Sequence, residues 1–158
     1  MRKVVFLLMM IALAIGLSAC GNYSSSMPGA NQTPSVTGNW NVVFTPAAAS
    51  ASTTSLTISF TQNGNALNGT VSAVNNPSGS CFPAIAATGT TFTVTGQVSS
   101  AASSIVNLSV GFTSGSSSGT IAGNATLAYL GTMANGTFTF ATGASGCTSG
   151  ALTMTKTS

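Results

Sequence analysis

Few side chains in this chain could do chemistry, and three of them are thiols. Cys20, Cys81 and Cys147 are its only cysteines, and it contains no Asp, Glu or His. General acid–base catalysis and metal binding draw mainly on those missing residue types, and a serine nucleophile needs a base beside it. The only cation beyond residue 3 is Lys156, two residues from the end of the chain. We therefore predict that the chain is not an enzyme and holds no metal and no cofactor.

Cys20 closes a segment with the features of an export signal. Arg2 and Lys3 form a short basic start, and residues 4–17 form an apolar run. This run is too short for a comfortable membrane span and fits a cleaved signal peptide. The segment ends in Leu17-Ser18-Ala19-Cys20, which resembles the lipobox of bacterial lipoprotein precursors.

That resemblance implies that residues 1–19 are removed and that the Cys20 thiol carries diacylglycerol. Several acyl chains, palmitate among them, on one residue give stable membrane anchoring, whereas one chain gives only marginal binding. Position 21 is Gly and not Asp, which by analogy with such lipoproteins favours the outer membrane over the inner one. The alternative is an ordinary signal peptide with an incidental cysteine.

Cleavage before Cys20 would also remove most of the charge. Arg2 and Lys3 would leave with the signal, so that Lys156 would be the only charged side chain of the mature chain. The pI of about 9.1 therefore reflects the charges of the export signal. A nucleic-acid binder needs several Lys or Arg residues to neutralise phosphates, so we predict no nucleic-acid partner.

Cys81 and Cys147 are predicted to form a disulfide. Both lie in polar, turn-rich stretches of an exported chain, and two is an even number once Cys20 is acylated. The bridge would close a long loop, for which the chain-entropy model gives roughly 4 kcal/mol of stabilisation. A redox pair of free thiols would be expected to show Cys-x-x-Cys spacing, which is absent here.

The elements that position these residues are predicted to be β-strands. Residues 20–37 are the lipidated start and a flexible tether, in which 17 residues after Cys20 span roughly 20–25 Å. Residues 38–156 alternate between apolar and Ser/Thr/Asn positions, which is typical of half-buried strands. The alternating sets are Trp40/Val42/Phe44, Leu56/Ile58/Phe60, Leu67/Gly69/Val71/Ala73, Phe92/Val94/Gly96/Val98, Val106/Leu108/Val110/Phe112, Ile121/Gly123/Ala125/Leu127/Tyr129, Phe138/Phe140 and Leu152/Met154.

Turn signals separate these eight candidate strands. Asn63-Gly64 and Asn135-Gly136 are dipeptides typical of hairpin turns, and residues 114–119 indicate a flexible connection. We predict an all-β, antiparallel domain and favour an up-and-down barrel over a β-sandwich. Closure removes exposed sheet edges, and a chain with so little charge cannot protect its edges with Lys.

Two resemblances bear on the domain. Gly38-Asn39-Trp40 resembles the Gly-x-Trp start of lipocalin and avidin-like barrels, which would place Trp40 across a closed end, as a candidate ligand contact; the alternative is an ordinary core aromatic. Most of residues 38–156 resembles Gly/Ser/Thr-rich secreted lipoproteins of soil bacteria. These share a Gln-x-Gly-x-x-Leu-x-Gly hairpin, here residues 62–69, and one cysteine in each of two later loops, but bring no known activity.

Two functions follow as hypotheses. The first is a non-catalytic, membrane-anchored envelope lipoprotein with a structural or interaction role. The second is a barrel that binds a small uncharged or apolar ligand. The interior decides between them, because a small barrel filled by large side chains has no room for a ligand. The five that could fill it are Phe60, Phe92, Phe112, Phe138 and Phe140.

The missing charges generate a first prediction. Stability depends on pH only where the folded and unfolded states bind different numbers of protons. Beyond the signal there is no Asp, Glu or His, so between about pH 4.5 and 9 little couples folding to protons. The melting temperature of unlipidated residues 21–158 should be flat across that window and nearly independent of salt. Thermal melts in a buffer series check this; a shift of more than a few degrees without aggregation would contradict it.

Overall fold

The computed structural model describes residues 33–99, 104–128, 131–143 and 146–158. Eight antiparallel strands pair in sequence order and close into a barrel, with the first strand bonded to both the second and the last. The predicted up-and-down barrel is therefore confirmed. The strands are β1 (Gly38–Pro46), β2 (Thr54–Asn63), β3 (Ala66–Asn75), β4 (Thr91–Val98), β5 (Ile105–Ser114), β6 (Ser117–Leu127), β7 (Met133–Phe140) and β8 (Ser149–Lys156).

Some of the predictions concern residues outside the described ranges. The export signal, Cys20 and the tether up to residue 32 lie outside them, and so does Tyr129. The tether's last residues, 33–37, are described, and they include a fully buried Val36. The boundary at residue 38 therefore marks the start of the first strand and not the first packed residue.

The core lies along the barrel axis. Apart from the end of β3 and the buried Thr54 at the start of β2, the apolar positions of the period-two pattern point inward, and Ser, Thr and Asn point outward. In β1, for example, Trp40, Val42 and Phe44 are fully buried. This alternation follows from strand geometry, which sends successive side chains to opposite faces.

In β3 the predicted inward set is wrong at its last member. The register shifts between Thr57 and Ile58 of β2, which pair with Ala73 and Val71, so Ser72 is the extra residue of a bulge. A bulge reverses the inward–outward parity of the residues after it. Consequently Ala73 is exposed, and Val74 packs partly on the core instead.

The predicted turn at Asn135-Gly136 is also wrong. Both residues lie inside β7, where Gly136 pairs with Ala125 on one side and Leu152 on the other. A Cβ atom at Gly136 would overlap the carbonyl oxygen of Asn124. Glycine is needed here because β6 and β7 approach each other too closely for a side chain, which is a recognised use of glycine in strands.

The other two turn signals correspond to tight hairpins. Gly64 and Asn65 connect β2 to β3, and Gly64 has φ +59°. Gly115 and Ser116 connect β5 to β6 in the same way, with φ +58° at the glycine. A positive φ at the first central residue only is typical of type II′ turns. The predicted flexible connection over residues 114–119 was therefore too long, because β6 already begins at Ser117.

Gly136→Ala should destabilise the barrel, while Gly111→Ala should not. The first substitution forces backbone apart, which we expect to cost about 3 kcal/mol or more. At Gly111 the nearest atom to a Cβ is 3.5 Å away, and replacing a strand glycine relieves about 0.5–1 kcal/mol of entropic cost. Urea unfolding of the two variants measures the difference, and equal stabilities would contradict the assigned close approach.

Candidate functional site

Both ends of the barrel are closed by chain segments. Residues 76–90, between β3 and β4, cover one end and are called the plug. Residues 33–37, which lead into β1, cover the other end and are called the strap. Phe82 and Ile85 of the plug and Val36 of the strap are each at most 1% exposed.

The plug inserts an aromatic ring among the rings of the core. Phe82 contacts Phe44, Phe138 and Phe140, with ring centroids 6.0, 5.8 and 5.1 Å apart. Edge-to-face and tilted arrangements of this kind add about 0.5–1.5 kcal/mol per pair beyond burial. The plug also contains the only helical element of the described ranges, a single 3₁₀ turn over Pro83–Ala86.

Polar side chains hold the plug in position. The Thr54 hydroxyl donates to the side-chain oxygen of Asn76 at 2.6 Å, and the Asn76 amide donates to the carbonyl of Phe82 at 3.0 Å. Thr54 is fully buried, so this hydrogen bond satisfies a hydroxyl that would otherwise cost free energy. Ser52 adds two bonds to the plug, from its amide to Gly79 and from its hydroxyl to Ser78.

The predicted disulfide is present. Cys81 of the plug is bonded to Cys147 in the β7–β8 connection, with Cα atoms 5.3 Å apart. The cysteines are 66 residues apart in sequence, a separation for which the chain-entropy model gives about 4 kcal/mol. The bond ties the plug to the far side of the same barrel end.

Trp40 lies at the opposite end and anchors the strap. Its indole nitrogen donates to the carbonyl of Val36 at 2.7 Å. The Val36 amide donates to the side-chain oxygen of Gln62, and the Gln62 amide donates to the carbonyl of Pro34. Trp40 is fully buried, so it acts as a core and strap residue, and its ring presents no surface to a ligand.

The hairpin motif over residues 62–69 now has a physical explanation. Gln62 holds the strap, and its amide also donates to the Gly64 carbonyl within the turn at 2.9 Å. Leu67 is buried in the core. A Cβ at Gly69 would lie 2.7 Å from Val94 and 2.8 Å from Ile58, so glycine makes room for neighbouring side chains.

The barrel interior is filled. Phe60, Phe112, Phe138 and Phe140 point inward and are buried, and Phe92 packs against them half-buried. Two surface depressions, of about 380 and 290 Å³, are open to solvent. The larger lies over the plug-end halves of β4, β5 and β6, the smaller lies on the plug, and no ionisable side chain lines either one.

The described residues bring together no set of groups with an evident reaction chemistry. Within the described ranges, no group of three His, Cys, Asp or Glu residues lies close enough together to hold a metal ion. Lys156 lies opposite Trp40 in the β1–β8 ladder, at the barrel end away from the disulfide. None of the described helical residues forms a helix long and apolar enough to cross a membrane. Sequence reasoning missed Thr54, Asn76 and Phe82, because they lie in or beside a connection without periodicity.

The chain matches no protein-family model, no curated protein sequence and no solved structure. The resemblances to lipoproteins and to lipocalin or avidin-like barrels therefore remain predictions from short motifs. Function has to be argued from the residues themselves.

Phe82→Ala should destabilise the protein far more than Phe92→Ala. Removing the buried plug ring leaves a cavity among three other rings, which we expect to cost about 3–5 kcal/mol. Phe92 is half-buried, so its truncation should cost clearly less. Urea unfolding under non-reducing conditions checks this order. Similar losses for both variants would mean that Phe82 does not seal the barrel.

Proposed function

We propose that this chain is an envelope lipoprotein that presents a non-catalytic β-barrel at a membrane. In this proposal the chain is exported, cleaved before Cys20 and anchored by lipid on that residue, with the outer membrane favoured by Gly21. The lipobox at residues 17–20 supports the anchoring. The barrel then serves a structural or interaction role in the envelope.

The observation that carries this proposal is the filled barrel with both ends covered. A ligand carrier of this architecture needs an interior cavity or an open mouth. Here the Phe82 ring occupies one end, Trp40 and Val36 occupy the other, and inward-facing phenylalanines pack between them. This packing supports a surface role over the alternative of a small-ligand carrier.

The chemistry of the surface restricts the partner. Lys156 is the only charged side chain in the described residues, and the outward positions are mainly Ser, Thr and Asn. Such a wall cannot steer a charged partner over a distance. It offers hydrogen-bond donors and acceptors, so we infer recognition by short-range hydrogen bonds and shape.

The path of the chain is compatible with an anchor. Residue 33 is bonded at the strap end, where the Thr33 hydroxyl donates to the side chain of Asn65 at 2.9 Å. Twelve residues separate Thr33 from Cys20, and the tether predicted from their sequence would span roughly 20 Å. A lipid on Cys20 therefore does not require the barrel to open.

Cys20→Ala should release the protein from the membrane, while Ser18→Ala should not. The first variant removes the thiol that takes the lipid, whereas the second keeps a small residue inside the lipobox. We expect the wild type and Ser18→Ala in the detergent-extracted membrane fraction, with an intact mass showing a lipid adduct on a chain that begins at Cys20. A soluble product cut elsewhere, or membrane-held Cys20→Ala, would reject the anchor.

The same mass measurement under native conditions separates the two hypotheses. If the protein has a structural or interaction role, we expect its native mass to show the covalent lipid and no other small molecule. A small molecule that is released on denaturation, and whose loss accompanies Phe112→Ala or Phe138→Ala, would favour the ligand carrier.

A further inference from the structure

Three Asn-Gly dipeptides occur in the domain, and this pair is chemically labile. The backbone nitrogen of the glycine attacks the side-chain carbonyl carbon of the asparagine, and ammonia leaves as a five-membered succinimide forms. Water then opens the ring at either carbonyl, giving aspartate or isoaspartate. Glycine permits this because it lacks a Cβ that would obstruct the attack. The three are Asn63-Gly64, Asn68-Gly69 and Asn135-Gly136.

The fold protects two of these pairs and exposes the third. Gly69 pairs with Phe60 and Val94, and Gly136 lies between β6 and β8, so both have paired strands on each side. For the backbone nitrogen of Gly69 or Gly136 to reach the preceding asparagine side chain, the strand would have to separate from both of its neighbours. Such opening costs a large part of the global stability in core strands.

Gly64 lies at the tip of the β2–β3 hairpin. Its backbone nitrogen makes no hydrogen bond to the described residues, and nothing lies within 4 Å of its Cβ position. Asn63 is exposed and makes no side-chain hydrogen bond to the described part of the chain. Only the turn has to rearrange, and water reaches the product ring freely.

We propose that Asn63 is a spontaneous modification site, and that its conversion to isoaspartate loosens the strap. Isoaspartate inserts a methylene into the backbone between Gln62 and Gly64. The Gln62 amide spans that interval to the Gly64 carbonyl while the same side chain holds Val36 and Pro34. Either product also introduces an acidic side chain into a chain that has none.

The rate is tested by ageing the purified, disulfide-intact protein at 37 °C and mildly alkaline pH, followed by peptide mapping. We expect Asn63 to convert about tenfold or more faster than Asn68 and Asn135 in the folded state, because only the last two need paired strands to open. Each factor of ten corresponds to about 1.4 kcal/mol of opening free energy. In denaturant the three rates should converge. Equal rates in the folded protein, or slower conversion at Asn63, would overturn the assignment.

The effect of isoaspartate at residue 63 on the strap is measured by the fluorescence of Trp40, the only tryptophan of the chain. Ageing of the wild type should change the emission of Trp40 in step with isoaspartate at residue 63. Asn63→Gln, which cannot readily close the five-membered ring, should keep its emission over the same period. Freshly purified Asn63→Asp, measured before its own Asp-Gly pair isomerises, carries the charge without the extra methylene and should keep the emission of the unaged wild type. Full conversion of Asn63 with unchanged emission would overturn the coupling.

Discussion

Closure of the sheet is the constraint on which the rest of this structure depends. A sheet edge exposes unpaired amides and carbonyls that invite pairing with another chain, and proteins commonly protect edges with charged side chains. This domain has a single charged side chain in its described residues, so that protection is absent. Pairing of β1 with β8 leaves no edge in the barrel, and the uncharged outer wall is tolerable because of it.

Closure in turn dictates what fills the molecule. Eight strands enclose a space that side chains can occupy completely, and here phenylalanines, one tryptophan and many aliphatic side chains occupy it. The two ends are then sealed in different ways. The plug is tied by a covalent bond and a Thr54–Asn76–Phe82 chain of hydrogen bonds. The strap has no covalent tie and is held by the burial of Val36 and by hydrogen bonds with Trp40, Gln62 and Asn65. On the proposed function, a partner would therefore meet the outside of the barrel and not its interior.

The period-two pattern was sufficient to predict eight strands and most of their inward residues, because each strand buries one face only. The choice of a barrel over a sandwich came from the shortage of charge, since an uncharged sheet benefits from having no edges. The pattern failed where a bulge changes which side chains point inward, and where the distance between neighbouring strands decides which residue fits. The bulge at Ser72 exchanges the roles of Ala73 and Val74 without any local signal. Gly136 follows an asparagine, as a turn glycine would, yet it is required by a carbonyl on the neighbouring strand. The disulfide could be predicted from cysteine parity, but the plug could not, since Phe82 and Ile85 stand in a connection with no repeating pattern.

The position of the chain ends has a mechanical consequence. β1 begins and β8 ends at the same end of the barrel, with Asn39 bonded to Ser158. A force that separated the two termini would unzip β1 from β8 one hydrogen bond at a time, because the bonds of an antiparallel ladder lie across the strands. A force between the first residue of β1 and a partner bound at the plug end would instead act along the strands. It would then stress the hydrogen bonds of β1 to β2 and to β8 at the same time. The barrel therefore resists a force along its strands far better than a force that separates β1 from β8 at their ends. Once a strand has detached, the disulfide limits the length of chain that can extend, because residues 81–147 stay in a closed loop.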